Sequence, residues 1–244
     1  MTNGNAAPAP GVEPDLPVSV DGPRRPRLLV FDVNETLSDM SPMQGRFEDV
    51  GAPPDLAAGW FAGLLRDGFA LTVAGGSAPF TRLATGSLTV VLQRHVLDRP
   101  LPEAVEHVMD GFATLTVHPD VPAGAAALAA LGIRLVTLSN GSASVAQGLL
   151  GRAGVGDRFE QLLSVEDAGV WKPAPAAYAH ALERCGVAAG VAMLVAVHPW
   201  DIDGAARAGL ATAWVNRDGG TYPGYFSPPD LTCTSLTDLA DRLT

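Results

Sequence analysis

Positive charge is scarce in this chain. Sixteen lysines and arginines face 26 aspartates and glutamates, for a formal net charge of −10. A surface of that sign repels phosphate backbones and anionic headgroups, which argues against nucleic acid or a membrane surface as partner. It also means that an anionic substrate needs a locally positive site. Cysteine is nearly missing as well. Cys185 and Cys233 stand far apart, without the close spacing of a metal site, and read as free thiols in a reducing cytoplasm. No stretch approaches the roughly 20 apolar residues of a membrane span. Charged residues of both signs reach only 17%, below the usual share, whereas the apolar fraction of 47% is ordinary and allows a sizeable core. A chain of 244 residues holds one large domain, or a core domain with an insertion.

Residues 1–26 form a lead-in rich in Pro, Ala and Gly with a late Arg24-Arg25. It lacks the apolar centre of a secretory signal and reads as a disordered tail, partly ordered near Val18 to Val20. Directly after it comes an apolar run that meets an acid, Leu28-Leu29-Val30-Phe31-Asp32-Val33. A short unbroken apolar run between turn formers predicts a strand buried on both faces of a parallel sheet. Asp32 then stands at the carboxyl end of that strand, where open α/β sheets bind their ligands. From the run alone, Asp32 is a nucleophile, a metal ligand or a turn cap.

Later strands are expected at 133–138, 161–165, 191–197 and 211–215, separated by helices at 121–131, 142–153, 173–186 and 202–209. That alternation predicts right-handed βαβ units and a parallel, Rossmann-like α/β core. The interval 39–118 has no such rhythm. It reads as helices over 56–69, 79–97 and 102–115, broken at Gly75-Gly76. The expected organisation is a core of 27–38 and 119–244 with a helical cap, 39–118, inserted after the first strand.

Polar clusters recur just past these strands. Thr36 follows Asp32 by four residues, Ser139-Asn140-Gly141 follows the second strand, Lys172-Pro173 follows the third, and His198-Pro199-Trp200-Asp201 follows the fourth. Four clusters at one sheet edge converge on one pocket. The ordered set resembles the haloacid dehalogenase superfamily, and within it the type II L-2-haloacid dehalogenases. Leu163-Ser164-Val165, Tyr178 six residues after Lys172, and Trp214-Val215-Asn216-Arg217 add to the likeness, which spans about 27 to 240.

The resemblance implies a two-step hydrolysis of a small 2-haloacid by water, with no metal or cofactor. Asp32 would displace halide and carry an ester that water then cleaves. Lys172 would keep the carboxylate ionised. Thr36 and Ser139 would donate hydrogen bonds, Ser139 with neighbouring backbone N–H groups holding the substrate carboxylate. Asn140 would position Lys172 or Asp32, Tyr178 would reach the same cluster, and Asp201 would position Lys172 or the hydrolytic water. Val33, Asn34, Asn140, Tyr178, Trp60 and Phe61 are the candidate substrate contacts. The resemblance is compatible with a homodimer, on which composition is silent.

This chain departs from the pattern in places. The cap arginine that receives halide in the type II enzymes is replaced by Phe61; Arg66 and Arg46 are the substitutes at hand. Ala196 and His198 stand where Ser and Asn are usual, and Asn34 where Tyr is common. His198 is a general base on the water, a donor to a leaving group, or merely a hydrogen-bonded residue. The bland readings are that Asp32 caps a turn, Thr36 caps a helix, Lys172 is a loop lysine with Pro173 opening a helix, and Trp60 and Phe61 are cap core. Two alternatives remain. One is a Mg²⁺-dependent phosphatase, against which Asn34 replaces the usual second Asp and Val197 the usual metal-binding acid, with Asp203 as a possible substitute. The other is a non-catalytic member binding a small anion or a protein.

Overall fold

The computed structural model of the protein describes residues 25–244. All but the last two residues of the expected tail, including Val18 to Val20, lie outside the described residues. The first strand, β1 (Leu28–Phe31), has all four side chains fully buried. Leu28 and Val30 join one core layer, Leu29 and Phe31 the other. A strand covered on both faces has no polar side, which is why the run is unbroken.

The chain then leaves the sheet for α1 (Met43–Glu48), α2 (Leu56–Val73), α3 (Phe80–Leu92) and α4 (Leu101–Ala113). Its two connecting segments are pinned together. Ser38 and Val117 form an antiparallel bridge, and Asp39 N donates to Thr116 O (2.8 Å) while His118 N donates to Leu37 O (2.9 Å). The remainder alternates: α5 (Val121–Ala130), β2 (Arg134–Ser139), α6 (Ala143–Arg152), β3 (Gln161–Ser164), α7 (Pro175–Cys185), β4 (Ala192–Ala196), α8 (Pro199–Arg207), β5 (Ala211–Val215), β6 (Leu231–Cys233) and α9 (Leu236–Arg242).

All six strands are parallel, in the order β3-β2-β1-β4-β5-β6. The chain travels from β1 outward through β2 to β3, then returns to the other side of β1. The β1/β4 boundary is therefore the point where loops diverge and open a crevice at the carboxyl edge. Apolar residues of α5, α6 and α9 cover one face; those of α7, α8 and the inserted helices cover the other.

The α/β class and the helical insertion agree with the sequence reading, and several boundaries do not. Helix α8 starts at Pro199 rather than 202, because proline fits the first helical position, where no N–H is needed. Trp200 and Asp201 thus sit on a first helical turn. Helix α7 starts at Pro175, so Pro173 stays in the loop instead of opening the helix. Strand β6 and helices α1 and α9 were not anticipated: at three, six and seven residues they are too short to carry a period.

One place where the insertion meets the core is Trp171, the neighbour of Lys172. The Trp171 indole lies flat against Gly68 of α2, where a Cβ would come within 2.4 Å of the ring. The Trp171 backbone N–H donates to Thr72 Oγ1 and the indole N–H to Ala78 O, each at 3.2 Å, and the ring stacks on Phe80 of α3 at 5.9 Å.

Candidate active site

Asp32 continues the β1 ladder by one residue, its N–H donating to Val195 O (3.0 Å), so the acid leaves the sheet between β1 and β4. The two oxygens of its carboxylate differ in their surroundings. Oδ1 accepts from Lys172 Nζ at 2.9 Å. Oδ2 accepts from Thr36 Oγ1 at 2.6 Å and faces His198 Nδ1 at 3.1 Å. The Thr36 hydroxyl itself accepts from Val197 N (3.1 Å), which turns its single proton toward Asp32.

Lys172 reaches the carboxylate as an entirely buried side chain. Asn140, past β2, clamps its peptide: Asn140 Oδ1 accepts from Lys172 N (2.9 Å) and Asn140 Nδ2 donates to Lys172 O (3.3 Å). Lys172 Nζ also donates to Asp201 Oδ2 (2.7 Å). Tyr178 OH, from α7, donates to Asp201 Oδ1 (2.5 Å). Helices α7 and α8 approach this closely because residue 204 is glycine; a Cβ there would stand 2.6 Å from the Tyr178 oxygen.

His198 is held between two acids. Its Nε2 lies 2.8 Å from Glu35 Oε2, and Trp200 packs on its ring at 4.9 Å. Both ring nitrogens face carboxylate oxygens, and only an imidazolium can donate from both. Glu35 is the one non-glycine among the described residues with φ in the left-handed region, 60°, a conformation costing a side chain about 1–2 kcal/mol.

Charge states follow from these contacts. Burial would raise the Asp32 carboxyl, but the Lys172 ammonium and the hydrogen bonds from His198 and Thr36 outweigh it and hold the group well below the usual carboxylate range. Burial would lower His198; its two carboxylate partners instead push it up to about 9. Burial opposes the charge on Lys172 too, and Asp201 and Asp32 keep it above its ordinary value. Asp201 is raised by its own burial, against the pull of Lys172 and with the Asp32 charge adding. Tyr178 is raised by burial and by Asp201, so it stays a donor.

A second group of residues lies at and past the ends of β2 and β3, at the same edge of the sheet. Ser139 Oγ accepts from Gly141 N (2.8 Å), which leaves the serine proton free to donate. Gly141 O accepts from Ser164 Oγ (2.9 Å). Glu166 Oε1 accepts from the N–H of Phe80 at the start of α3 (3.2 Å), tying the insertion to this edge. A Cβ built on Gly141 would meet Ser139 Oγ at 3.2 Å, Asn34 Nδ2 at 3.7 Å and Phe80 Cγ at 4.0 Å. Ser139, Asn34 and Phe80 are thus neighbours around Gly141, two of them polar and one aromatic.

Residues 26–209 match the haloacid dehalogenase-like hydrolases as a family. The chain belongs to that family. Among curated proteins, haloacetate dehalogenase H-2 of Moraxella sp. (strain B) is 29% identical over 84% of this chain and 92% of its own length. (S)-2-haloacid dehalogenase 1 of Pseudomonas sp. (strain CBS-3) is 28% identical over 89% and 96%. Among solved structures, a dehalogenase with an intermediate complex superposes with a TM-score of 0.83 at 27% identity, covering 89% of this chain and 97% of the other.

Within this haloacid dehalogenase-like hydrolase, the structure brings Asp32, Thr36, Lys172, Tyr178, His198 and Asp201 into one hydrogen-bonded cluster. Asn140 clamps the Lys172 peptide, and Ser139 and Asn34 lie together around Gly141. Other candidates lie elsewhere. Trp60 is the centre of the inserted helices, its indole N–H donating to Ala84 O and Ser87 Oγ, with Phe47, Phe61 and Phe112 around it. Phe61 packs on Trp60 and Phe112, and Phe112 in turn stacks on Phe80; the wall toward Gly141 is Phe80. The Val33 side chain belongs to the core layer under the sheet. Arg66 is exposed and pairs with Asp67, and Arg46 lies across Gly111 in the insertion, so neither is recorded at the Asp32 cluster. Asp203 is tied to Arg207 and Ser227. In the resting site His198 has a carboxylate oxygen at each ring nitrogen, an arrangement that favours a donor over a base while Asp32 is ionised. Glu35, Phe80 and Trp171 were missed. Glu35 and Trp171 adjoin motif residues, but no periodicity marked them, and Phe80 lies far from every motif.

Proposed function

We propose that this chain is a hydrolase acting on carbon–halogen bonds, and that it converts a small 2-haloacid to the 2-hydroxyacid through an ester on Asp32, without a metal. The observation that carries the reading is the unequal occupation of the Asp32 oxygens. A carboxylate oxygen offers about two acceptor directions. Both directions of Oδ2 are taken, by Thr36 and His198, whereas among the described residues Oδ1 accepts from Lys172 alone. Oδ1 therefore keeps a lone pair for attack, on a group held ionised by the neighbouring cations. That pair forms the bond to the substrate carbon as the carbon–halogen pair departs with halide. Water then adds to the Asp32 carbonyl carbon. Its oxygen stays in the carboxylate, one proton ends on the released hydroxyl, and one goes to solvent. Ser139 Oγ–H and the Asn34 amide are suited to the substrate carboxylate. Residues 39–118 serve as the cap, with Phe80 and Trp171 excluding bulk water. The family likeness and the intermediate complex described for a relative support the same chemistry.

A Mg²⁺-dependent phosphatase fits the residues poorly. Asn34 and Val197 supply no carboxylate, and Asp203 is engaged with Arg207 and Ser227. The test is incubation with chloro-, bromo- and fluoroacetate, 2-chloropropionate, and p-nitrophenyl phosphate with and without Mg²⁺. Halide release that vanishes in Asp32→Asn, with ¹⁸O from labelled water entering Asp32 in a single turnover, is the expected result. Metal-dependent phosphate release overturns the proposal, and no turnover of any substrate favours a binding role.

A further inference from the structure

We propose that His198 is the oxyanion donor for cleavage of the Asp32 ester, and that Glu35 is the positioning residue that keeps it able to donate. The inference rests on the covalent reading above and extends it to two residues of this chain. If Oδ1 makes the ester bond, Oδ2 becomes the ester carbonyl oxygen. When water adds to the carbonyl carbon, the C=O π pair moves onto Oδ2. When the adduct collapses, that pair re-forms the carbonyl and the bond from carbon to Oδ1 breaks, releasing the hydroxyacid. The atom that bears the transient negative charge is thus the one that already faces Thr36 Oγ1 at 2.6 Å and His198 Nδ1 at 3.1 Å. Two donors fixed on a developing oxyanion are the means by which acyl cleavage is accelerated.

Glu35 enters because the ester removes a charge. In the resting site His198 lies between two carboxylates. Once Asp32 is esterified, it no longer helps hold the proton on the ring, and Glu35, 2.8 Å from Nε2, is the anion left in contact. The left-handed backbone at Glu35 is stabilised by a hydrogen bond between its N–H and Ser38 Oγ (3.1 Å), and its carbonyl faces His118 Nε2 (3.0 Å). The conformation aims the carboxylate at the far side of the imidazole. The other charged groups around His198 are Lys172 and Asp201, behind Asp32, and Asp39, His118, Asp120, Arg217 and Asp218 across the cavity that His198 and Glu35 border.

The experiment is a single turnover of 2-chloropropionate, quenched and followed by halide release and by the mass of the intact protein. His198→Ala should still release one equivalent of halide and then retain the ester, with its cleavage slowed about 10²- to 10³-fold. His198→Asn, which keeps a neutral N–H donor, should recover part of that loss. In the unaltered protein, ester cleavage should slow as pH rises through the range in which His198 loses its proton, and Glu35→Gln should move that falling limb to lower pH without changing the halide burst. A cleavage rate that rises across the same range assigns His198 as a base and overturns the proposal. So does a His198→Ala protein that loses the halide burst itself, or a Glu35→Gln profile that stays in place. If the unaltered protein releases halide with no mass gain and no ¹⁸O in Asp32 in any variant, the covalent reading fails, and this assignment fails with it.

Discussion

Lys172 Nζ stands 2.7 Å from Asp201 Oδ2 and 2.9 Å from Asp32 Oδ1, with the lysine and Asp201 side chains wholly buried. One cation thus holds two acids that would otherwise repel each other in a dry site. Removing a single partner from a buried ion pair strands the remaining charge and costs about 3–5 kcal/mol. Lys172→Met should therefore lower the melting temperature by about 10 °C, as well as abolish halide release, because Asp32 loses its largest ionising influence. A Lys172→Met protein that melts like the parent would mean that the pair adds nothing to stability.

Gly204 controls whether this network closes. A methyl group at that position would stand 2.6 Å from Tyr178 OH and 2.6 Å from Pro173 Cβ, so either α8 shifts or the tyrosine withdraws from Asp201. Gly204→Ala is expected to cost about 1–3 kcal/mol from overpacking. Tyr178→Phe, which leaves Asp201 Oδ1 without that donor, should cost a similar amount. If the two substitutions act on the same contact, the double variant loses less than the sum, as a thermal-melt double-mutant cycle would reveal.

The strand–helix rhythm and the chemistry at the ends of β1, β2 and β4 were legible because buried parallel strands have no polar side and their loops carry the motif residues. The contacts that complete the site were less legible. Glu35 is next to a motif position, yet its reach to His198 depends on a left-handed φ that nothing in its residue type announces. Phe80 and Trp171 meet across the boundary between insertion and core, a long-range pairing that one-dimensional patterns do not encode. Trp60 and Phe61, which read both as candidate substrate contacts and as cap core, lie in the core of the insertion, where Ala84 O and Ser87 Oγ satisfy the indole N–H.

His198 should impose an alkaline limit on stability. Its pKa is raised from an unfolded value near 6.5 to about 9, so its contribution is fully present below pH 6.5 and fades as pH climbs through 9. The full span corresponds to about 3 kcal/mol. Urea melts between pH 6 and 10 should show stability declining over that window, and the decline should flatten in His198→Asn. An equally steep decline in the variant would assign the effect to another group.

In the proposed reaction Gly141 sets the room beside Ser139 and Asn34, the contacts assigned to the substrate carboxylate. The added methyl of Gly141→Ala would press on Ser139 Oγ at 3.2 Å and fill the space toward Asn34 Nδ2 and Phe80. The Gly141 φ lies outside the left-handed region, so the backbone accepts alanine and the effect is one of volume. A methyl-sized difference between substrates is worth about 1–3 kcal/mol in a close-fitting pocket. The variant should therefore lose about 10-fold or more in kcat/KM for 2-chloropropionate relative to chloroacetate, with the folded state still intact by circular dichroism. Equal losses for the two acids would place the substrate carbon chain away from Gly141, on the Lys172 side of Asp32, and would require the carboxylate contacts to Ser139 and Asn34 to be reassigned.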